Sequence, residues 1–463
     1  MADFYMRAGR ALQDILSHRG SIKAITSGNS SVNDAKRVMA LVVNTLSYKE
    51  TLQQVLASVD IAKREPKWFG PGASLNRTAD KTRASGPLLS ECLLLVLVHD
   101  LLFASRGIQA AKAWPPKERL EKYKSQLHAE LVRLQIRRKK KSVEELRSGE
   151  AERKIAGRIP RWCRVNTLKV SQAEAINQLQ KAGFTLVDTE TLDQEHQFAR
   201  SRHVRHVLAF HPKATSKLMS LPLFRTGGLI LQDLASCFPA EVLDPRTWAS
   251  SEVDALDATS APGNKTSHLS ALMLGQGTLT ALERAPQRFK TLVKMLDRAG
   301  CLASRGGNVH PKKDDFLAME PLGDGALVRF MLLDPSCSGS GIVNRLDYLT
   351  SQDDEQDNIE QVLPDDNRPA PLDARLASLA ALQQRMIRHA MTFPSLERFT
   401  YSTCSVHEEE NEHVVKAVLE SPEAKEGHWS LAPRSDVLPT WNERGRPEAC
   451  GGDEKMASRY CTL

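Results

Sequence analysis

No two of the eight cysteines (Cys92, Cys163, Cys237, Cys301, Cys337, Cys404, Cys450 and Cys461) stand close enough to read as a CxxC zinc site or a disulfide framework. Such scatter suits a reducing compartment. The start, MADFYMRAGRALQDIL, lacks the cationic, apolar and small-residue order of a signal peptide. Long apolar runs are missing too. The best, LLLVLV from Leu93 to Val98, meets His99 and Asp100 too soon to span a bilayer. A soluble, intracellular chain is expected, with no membrane partner and no metal.

Two nucleotide-binding signatures are absent. The phosphate-binding P-loop needs G-x-x-x-x-G-K-[ST], but Thr259 and Asn264 occupy its two glycine positions ahead of Lys265 and Thr266. The dinucleotide fingerprint G-x-G-x-x-G does not occur either, which removes the simplest oxidoreductase reading. There is no internal repeat, and no large excess of charge. Against 56 Asp and Glu stand 63 Lys and Arg, a net charge of +7. The excess has one local focus, Arg137, Arg138, Lys139, Lys140 and Lys141. That run reads equally as a solvated helix end or as a phosphate-contacting or nuclear-import segment.

What is present falls into three parts. Up to about residue 150 apolar residues recur at three- and four-residue spacing, as in AKRVMALVVNTLSYKETLQQVLASV, and predict a helical domain over 1–150. A small α+β unit follows over 151–245, with WCRVNTL as a strand, SQAEAINQLQKAG as a helix ended by Gly183, and FTLVDTE as another strand. Over 246–463 strand and helix patterns alternate, from VDALDA through GTLTALE and LVRFMLLD to LERFTYST. This predicts an α/β domain with a parallel sheet and crossover helices. An acidic, proline-bearing insertion at about 350–372 reads as a surface loop.

Ligands of such sheets bind beyond the carboxyl ends of the strands. In LDATSAPGNKTSHL a strand ends at Asp257, a Pro-Gly turn follows, and a helix is expected from about Thr266, its free amides facing a ligand. Glu283, ending the next strand, stands where a carboxylate accepts hydrogen bonds from a ribose diol, or else caps the helix that follows. Cys337 lies beyond RFMLLD, in a Gly- and Ser-rich loop beside Asp334 and Pro335. Cys404 lies beyond RFTYST, and Ser405 with Glu408 predicts a capping box there, whose helix N-terminus would favour the Cys404 thiolate. If the two strands are neighbours, two thiols and a carboxylate converge at one sheet edge. Either cysteine alone reads as a small buried hydrophobe.

These residues resemble the Nop/Sun family of RNA cytosine-5 methyltransferases, and within it the branch acting on large-subunit ribosomal RNA. The likeness runs from PRWCRVNTLK to TCSVHEEENE and rests on APGNKT, DPSCSGSG and YSTCS, with LILQDLASCFPA and GSIKAI as weaker signals. It implies a Rossmann-like S-adenosylmethionine-dependent methyltransferase domain, preceded by an RNA-recognition-like α+β domain and the helical domain. It makes Cys404 the thiol that adds to cytosine C6, gives Cys337 a part in release, and puts Asp334 at N3 of the base. The S-adenosyl-L-methionine site would run from Thr259 through Ser260, Ala261, Pro262, Gly263 and Asn264 to Lys265, which also faces the RNA. Glu283 would meet the ribose with Arg288 nearby, Asp315 the adenine and Asp334 the methionine moiety. Arg164 and Asn166 would belong to the RNA-binding surface, against a plain reading as polar residues on a strand surface.

The implied protein is a monomeric nuclear, nucleolar enzyme acting on ribosomal RNA in ribosome biogenesis. Three departures from the family pattern are visible. Thr259, Ser260 and Ala261 stand where Cys-Ala-Ala is usual, and Glu283 replaces an Asp. The end, EACGGDEKMASRYCTL, has no Gly- and Phe-rich strand, so the chain either stops short of the family's last hairpin or lacks it. A rival reading is therefore an RNA-binding ribosome-assembly factor that has lost methyl transfer. A second rival makes Cys337 the attacking thiol, as in DNA cytosine methylases.

Overall fold

The apolar run too short for a bilayer becomes the centre of a helical unit. A computed structural model describes residues 2–17, 22–26, 32–71, 73, 88–147, 158–248, 253–341 and 372–462. They fall into two units, the first up to residue 147 and the second from residue 158. In the first, the helix Ser90–Phe103 is buried around its whole circumference, as an all-apolar helix must be in water. The helices Ala2–Leu16, Val32–Ser47, Lys49–Val59 and Lys124–Arg137 pack about it. Its one acid at the end, Asp100, accepts a 2.8 Å hydrogen bond from the buried Tyr5 hydroxyl. The basic run follows the C-terminus of Lys124–Arg137, where cations oppose the helix dipole favourably.

The second unit contains two sheets. The first joins β1 (Arg161–Val165), β2 (Thr185–Val187), β3 (Gln197–Arg200), β4 (Val207–Phe210) and β5 (Leu229–Leu231) in the order β2-β3-β4-β1-β5. The helix Gln172–Lys181 covers one face. It starts at Ser171, whose hydroxyl accepts the Glu174 N–H, and packs Ile176 and Leu179 with Phe198 and Phe210. Strands β3 to β5 are three or four residues long, too short for a readable alternation.

The second sheet is wholly parallel, with order β10-β9-β6-β7-β8. Its strands are β6 (Asp254–Asp257), β7 (Thr278–Leu282), β8 (Val309–Lys312), β9 (Val328–Leu333) and β10 (Arg398–Tyr401). The helices Asn264–Leu272, Pro286–Ala299 and Leu372–Ala390 make crossovers. The chain winds outward through β7 and β8, then returns to the other side of β6 for β9 and β10. That reversal opens a crevice between the ends of β6 and β9, where ligands of such sheets bind. The helix Leu234–Leu243, ahead of residue 246, packs on this sheet against β9 and β10.

Several expectations need amendment. Strand β8 was not anticipated, because His310 and Pro311 interrupt any apolar pattern; a proline without an N–H is tolerated on this edge strand. The acidic insertion lies outside the described residues, save that Leu372 opens a helix. Arg164 and Asn166 are neither RNA-facing nor ordinary surface residues, being 1% and 0% exposed. Arg164 donates to Gln232 Oε1 and Ser267 Oγ, both at 2.9 Å, and Asn166 donates to the carbonyls of Gly227 and Ala299. Both tie the first sheet to the helices of the second. Burial draws the Arg164 pKa down to about 10. Beyond β10 no further strand joins the sheet among the described residues. No helix among them is long and apolar enough to cross a membrane, and no group of three or more His, Cys, Asp or Glu could hold a metal ion.

Candidate active site

Four of the five parallel strands end in residues that meet at the crevice. At the end of β6, buried Asp257 organises the following loop. Its Oδ1 accepts the Thr259 N–H at 3.2 Å, its Oδ2 accepts the Thr266 hydroxyl at 2.7 Å, and its carbonyl accepts the Ser260 hydroxyl at 2.8 Å. Burial pushes this carboxyl up to about 6, against the bonds from Thr266 and Thr259. The helix begins at Asn264, two residues earlier than expected, because Gly263 takes a left-handed conformation with φ of 111°. A Cβ there would come within 3.2 Å of Leu292 Cδ1.

Glu283, ending β7, is only 6% exposed. Its Oε1 accepts the Ala285 N–H at 2.7 Å and its Oε2 lies 3.4 Å from Arg288 Nε. Arg288 also donates to the carbonyl of Ala261 at 2.8 Å, so the loops beyond β6 and β7 are fastened together. Asp315 stands apart from this group, opening the turn Phe316–Ala318 and pairing with Arg284 at 3.1 Å.

Beyond β9, Asp334 is the hub. Its Oδ2 lies 2.8 Å from Lys265 Nζ, its Oδ1 accepts the Ser402 hydroxyl at 2.6 Å, and its N–H donates to Thr259 Oγ1 at 3.0 Å. The Thr259 hydroxyl thus links the two loops where the family usually has a cysteine. Lys265 donates as well to Ser236 Oγ at 3.2 Å, on the helix Leu234–Leu243.

Neighbouring strands β9 and β10 bring the thiols together: Cys337 Sγ and Cys404 Sγ are 2.8 Å apart. The Cys404 N–H donates to Cys337 Sγ at 3.2 Å. In such contact the two thiols titrate as a pair. The hydrogen bond from the Cys404 thiol and those from the amides of Cys404 and Gly339 outweigh burial and draw Cys337 down to about 7. The same thiol contact, with burial and the Cys337 and Asp334 charges, pushes Cys404 up.

The capping box expected after Cys404 does not form. The Ser405 hydroxyl accepts the His407 N–H at 3.0 Å, a 3-10 turn occupies Glu408–Glu410, and the helix begins only at Glu412. The Asn411 backbone, at φ −116° and ψ −97°, interrupts the run and its side chain takes the carbonyls of Ser405 and His407, so the helix N-terminus is not beside the thiol. The buried acceptor Asp257 and the ordering residues Ser402, Ser236, Glu410 and Asn411 were not singled out from the sequence. Their signal lay in the motifs themselves, Ser402 within YSTCS and the last pair within HEEENE.

The family model described as NOL1/NOP2/Sun domain family member 5, N-terminal domain, matches residues 36–146. Its ferredoxin-like domain matches 159–232, and 16S rRNA methyltransferase RsmB/F matches 240–434. The chain is 36% identical to the 25S rRNA (cytosine-C(5))-methyltransferase of Schizosaccharomyces pombe, over 97% of this chain and 85% of that one. This chain belongs to the NOL1/NOP2/Sun family of RNA methyltransferases. The 28S rRNA (cytosine-C(5))-methyltransferase of Mus musculus is 33% identical over 99% of this chain and 88% of its own length. A 25S enzyme of Arabidopsis thaliana is also 33% identical, over 97% and 69%. Family membership and the Rossmann-like sheet imply an S-adenosylmethionine-type methyl donor.

Proposed function

We propose that this enzyme transfers the methyl group of S-adenosyl-L-methionine to C5 of a cytosine in large-subunit ribosomal RNA, through a covalent bond between Cys404 and C6 of the base. The carrying observation is the pair of thiols 2.8 Å apart at the ends of β9 and β10. The substrate follows the 25S and 28S names of the relatives.

Cytosine C5 is a weak carbon nucleophile, and addition of a thiolate at C6 moves electron density onto it. The Cys404 thiol loses its proton to solvent and its sulfur adds to C6. Asp334 is assigned to N3 of the base, oriented by the Ser402 hydroxyl. The Lys265 ammonium, paired with Asp334, offsets the negative charge of the adduct. Once C5 carries the methyl group, the Cys337 thiolate takes the C5 proton, the C6–S bond breaks to free the Cys404 sulfur as thiolate, and the proton passes from Cys337 back to Cys404. The base must leave its stack to reach these groups, which suits single-stranded or distorted RNA.

S-adenosyl-L-methionine supplies the methyl group as an electrophile. The residues present fit it. Among the described residues the Glu283 carboxylate meets only the Ala285 amide and Arg288, so acceptor positions remain for a ribose diol. The loop Thr259 to Lys265 and Arg288 would hold it beside Glu283, with Asp315 toward the adenine and Asp334 toward the methionine end. The assignment extends to three domains over 1–150, 151–245 and 246–463, a monomer, and a nucleolar site of action.

One observation favours a second reading. Cys337, not Cys404, is the thiol drawn down to about 7, as an attacking group would be. The YSTCS motif around Cys404 speaks for the first.

The test is methyl-labelled S-adenosyl-L-methionine with unmodified large-subunit ribosomal RNA, followed by nucleoside analysis. Label in 5-methylcytidine is expected. Bound RNA without transfer would overturn the proposal in favour of an assembly factor.

A further inference from the structure

The turn Glu408–Glu410 and the residue after it reach to both thiol loops. Glu410 is 0% exposed. Both its oxygens accept the Ser338 N–H, at 2.9 and 3.2 Å, and Oε1 accepts Gln383 Nε2 at 3.0 Å. Gln383 Nε2 donates also to the carbonyl of Ser336, at 3.0 Å. The residues on either side of Cys337 are thus gripped by one carboxylate–amide pair. Burial would push the Glu410 carboxyl up, but bonds from Ser338, Ser405 and Gln383 overcome it and hold the group below the usual carboxylate range. An ionised acceptor gives the stronger, charge-assisted hold.

Asn411 does the same for the other cysteine. Its Nδ2 donates to the carbonyls of Ser405 and His407, both at 2.9 Å, and its Oδ1 accepts the Thr403 hydroxyl at 2.5 Å. The residues on either side of Cys404 are held by one amide.

We propose that Glu410, with Gln383, is the positioning residue for Cys337, and Asn411 the positioning residue for Cys404. Two adjacent residues then set the separation of the sulfurs while each governs a different step. The step each governs rests on the thiol roles proposed above. A thiol displaced by about 1 Å loses on the order of 10²-fold in rate. Loosening Cys337 slows release and leaves the protein–RNA adduct standing. Loosening Cys404 slows addition and lowers the adduct.

The experiment uses the full chain, S-adenosyl-L-methionine and unmodified large-subunit ribosomal RNA, reading initial transfer and the adduct that survives a denaturing gel. Glu410→Gln and Asn411→Ala are each expected to reduce transfer about 10- to 100-fold. The adduct should rise in the first, as in Cys337→Ala, and fall in the second, as in Cys404→Ala. A general loosening of the fold would move both in one direction, and that result overturns the proposal. If the adduct accumulates in Cys404→Ala instead, the assigned thiol roles are wrong. The proposal then still requires each variant to follow the cysteine it holds. Should Glu410→Gln lose its cooperative melt, Gln383→Leu must show the same sign, and its failure to do so counts against the proposal.

Discussion

Cys337 and Cys404, 67 positions apart in the chain, hold their sulfur atoms 2.8 Å from one another across the ends of two parallel strands. At that distance the two thiols are in hydrogen-bond contact, and the first ionisation belongs to the pair. Iodoacetamide alkylation, followed by mass, should therefore rise through pH about 7 and level off above it. In Cys404→Ala the S–H donor is gone, so the Cys337 midpoint should move up toward the ordinary thiol range. The buried thiols Cys92, Cys163, Cys237 and Cys301, pushed up to about 12, should stay unreactive. An unchanged midpoint in the variant would show that the contact does not set the titration.

The Lys265–Asp334 ion pair is partly open to water, with side-chain exposures of 20% and 32%. Its contribution to stability is about 0–1 kcal/mol, as for other exposed pairs. Its place beside the thiols makes it matter for chemistry. Lys265→Ala should melt within a few degrees of wild type yet transfer methyl groups about 10²-fold more slowly, the usual scale for one electrostatic group. Equal transfer by the variant would remove Lys265 from the reaction.

Asp257 gives a pH test. Its folded-state carboxyl is raised to about 6, so protonation favours the fold. This contribution is fully present below the ordinary carboxyl pKa of about 3.9 and is lost as pH rises through about 6. Asp257→Asn keeps the shape without the charge. The stability difference between variant and wild type, measured by urea unfolding, should shift in the variant's favour as pH rises from about 4 to 7. A difference independent of pH would contradict the burial of an ionisable group there.

Arg164 separates a structural role from an RNA contact. Removing it leaves Gln232 and Ser267 without their donor, at about 1–3 kcal/mol for each buried group. Arg164→Ala should lower unfolding stability by roughly 2–5 kcal/mol while the salt dependence of RNA binding keeps its slope. A slope reduced by about 0.7 to 0.9 would mean a lost phosphate contact instead.

The ends of the parallel strands were legible because β6, β7, β9 and β10 each carry an apolar stretch closed by a distinctive loop. Asp334 and the two thiols could be named from that, whereas Lys265 came only from the resemblance to the family. β8 was not legible, since Pro311 suits only an edge that the sequence does not announce. Arg164 and Asn166 looked like strand-surface polar groups because nothing local shows that a second layer covers them. The environment of Cys404 was misread for a related reason. Ser405 and Glu408 have the spacing of a capping box, but Asn411 takes the carbonyls of Ser405 and His407 and holds the segment out of a helix.

The central claim is that Cys404 forms the covalent bond and Cys337 ends it. The most direct measurement is label transfer from methyl-labelled S-adenosyl-L-methionine into large-subunit ribosomal RNA by wild type, Cys404→Ala and Cys337→Ala, with the products run on a denaturing protein gel. The account predicts no transfer and no adduct from Cys404→Ala, and a standing protein–RNA adduct from Cys337→Ala. An adduct from Cys404→Ala, with none from Cys337→Ala, would contradict it.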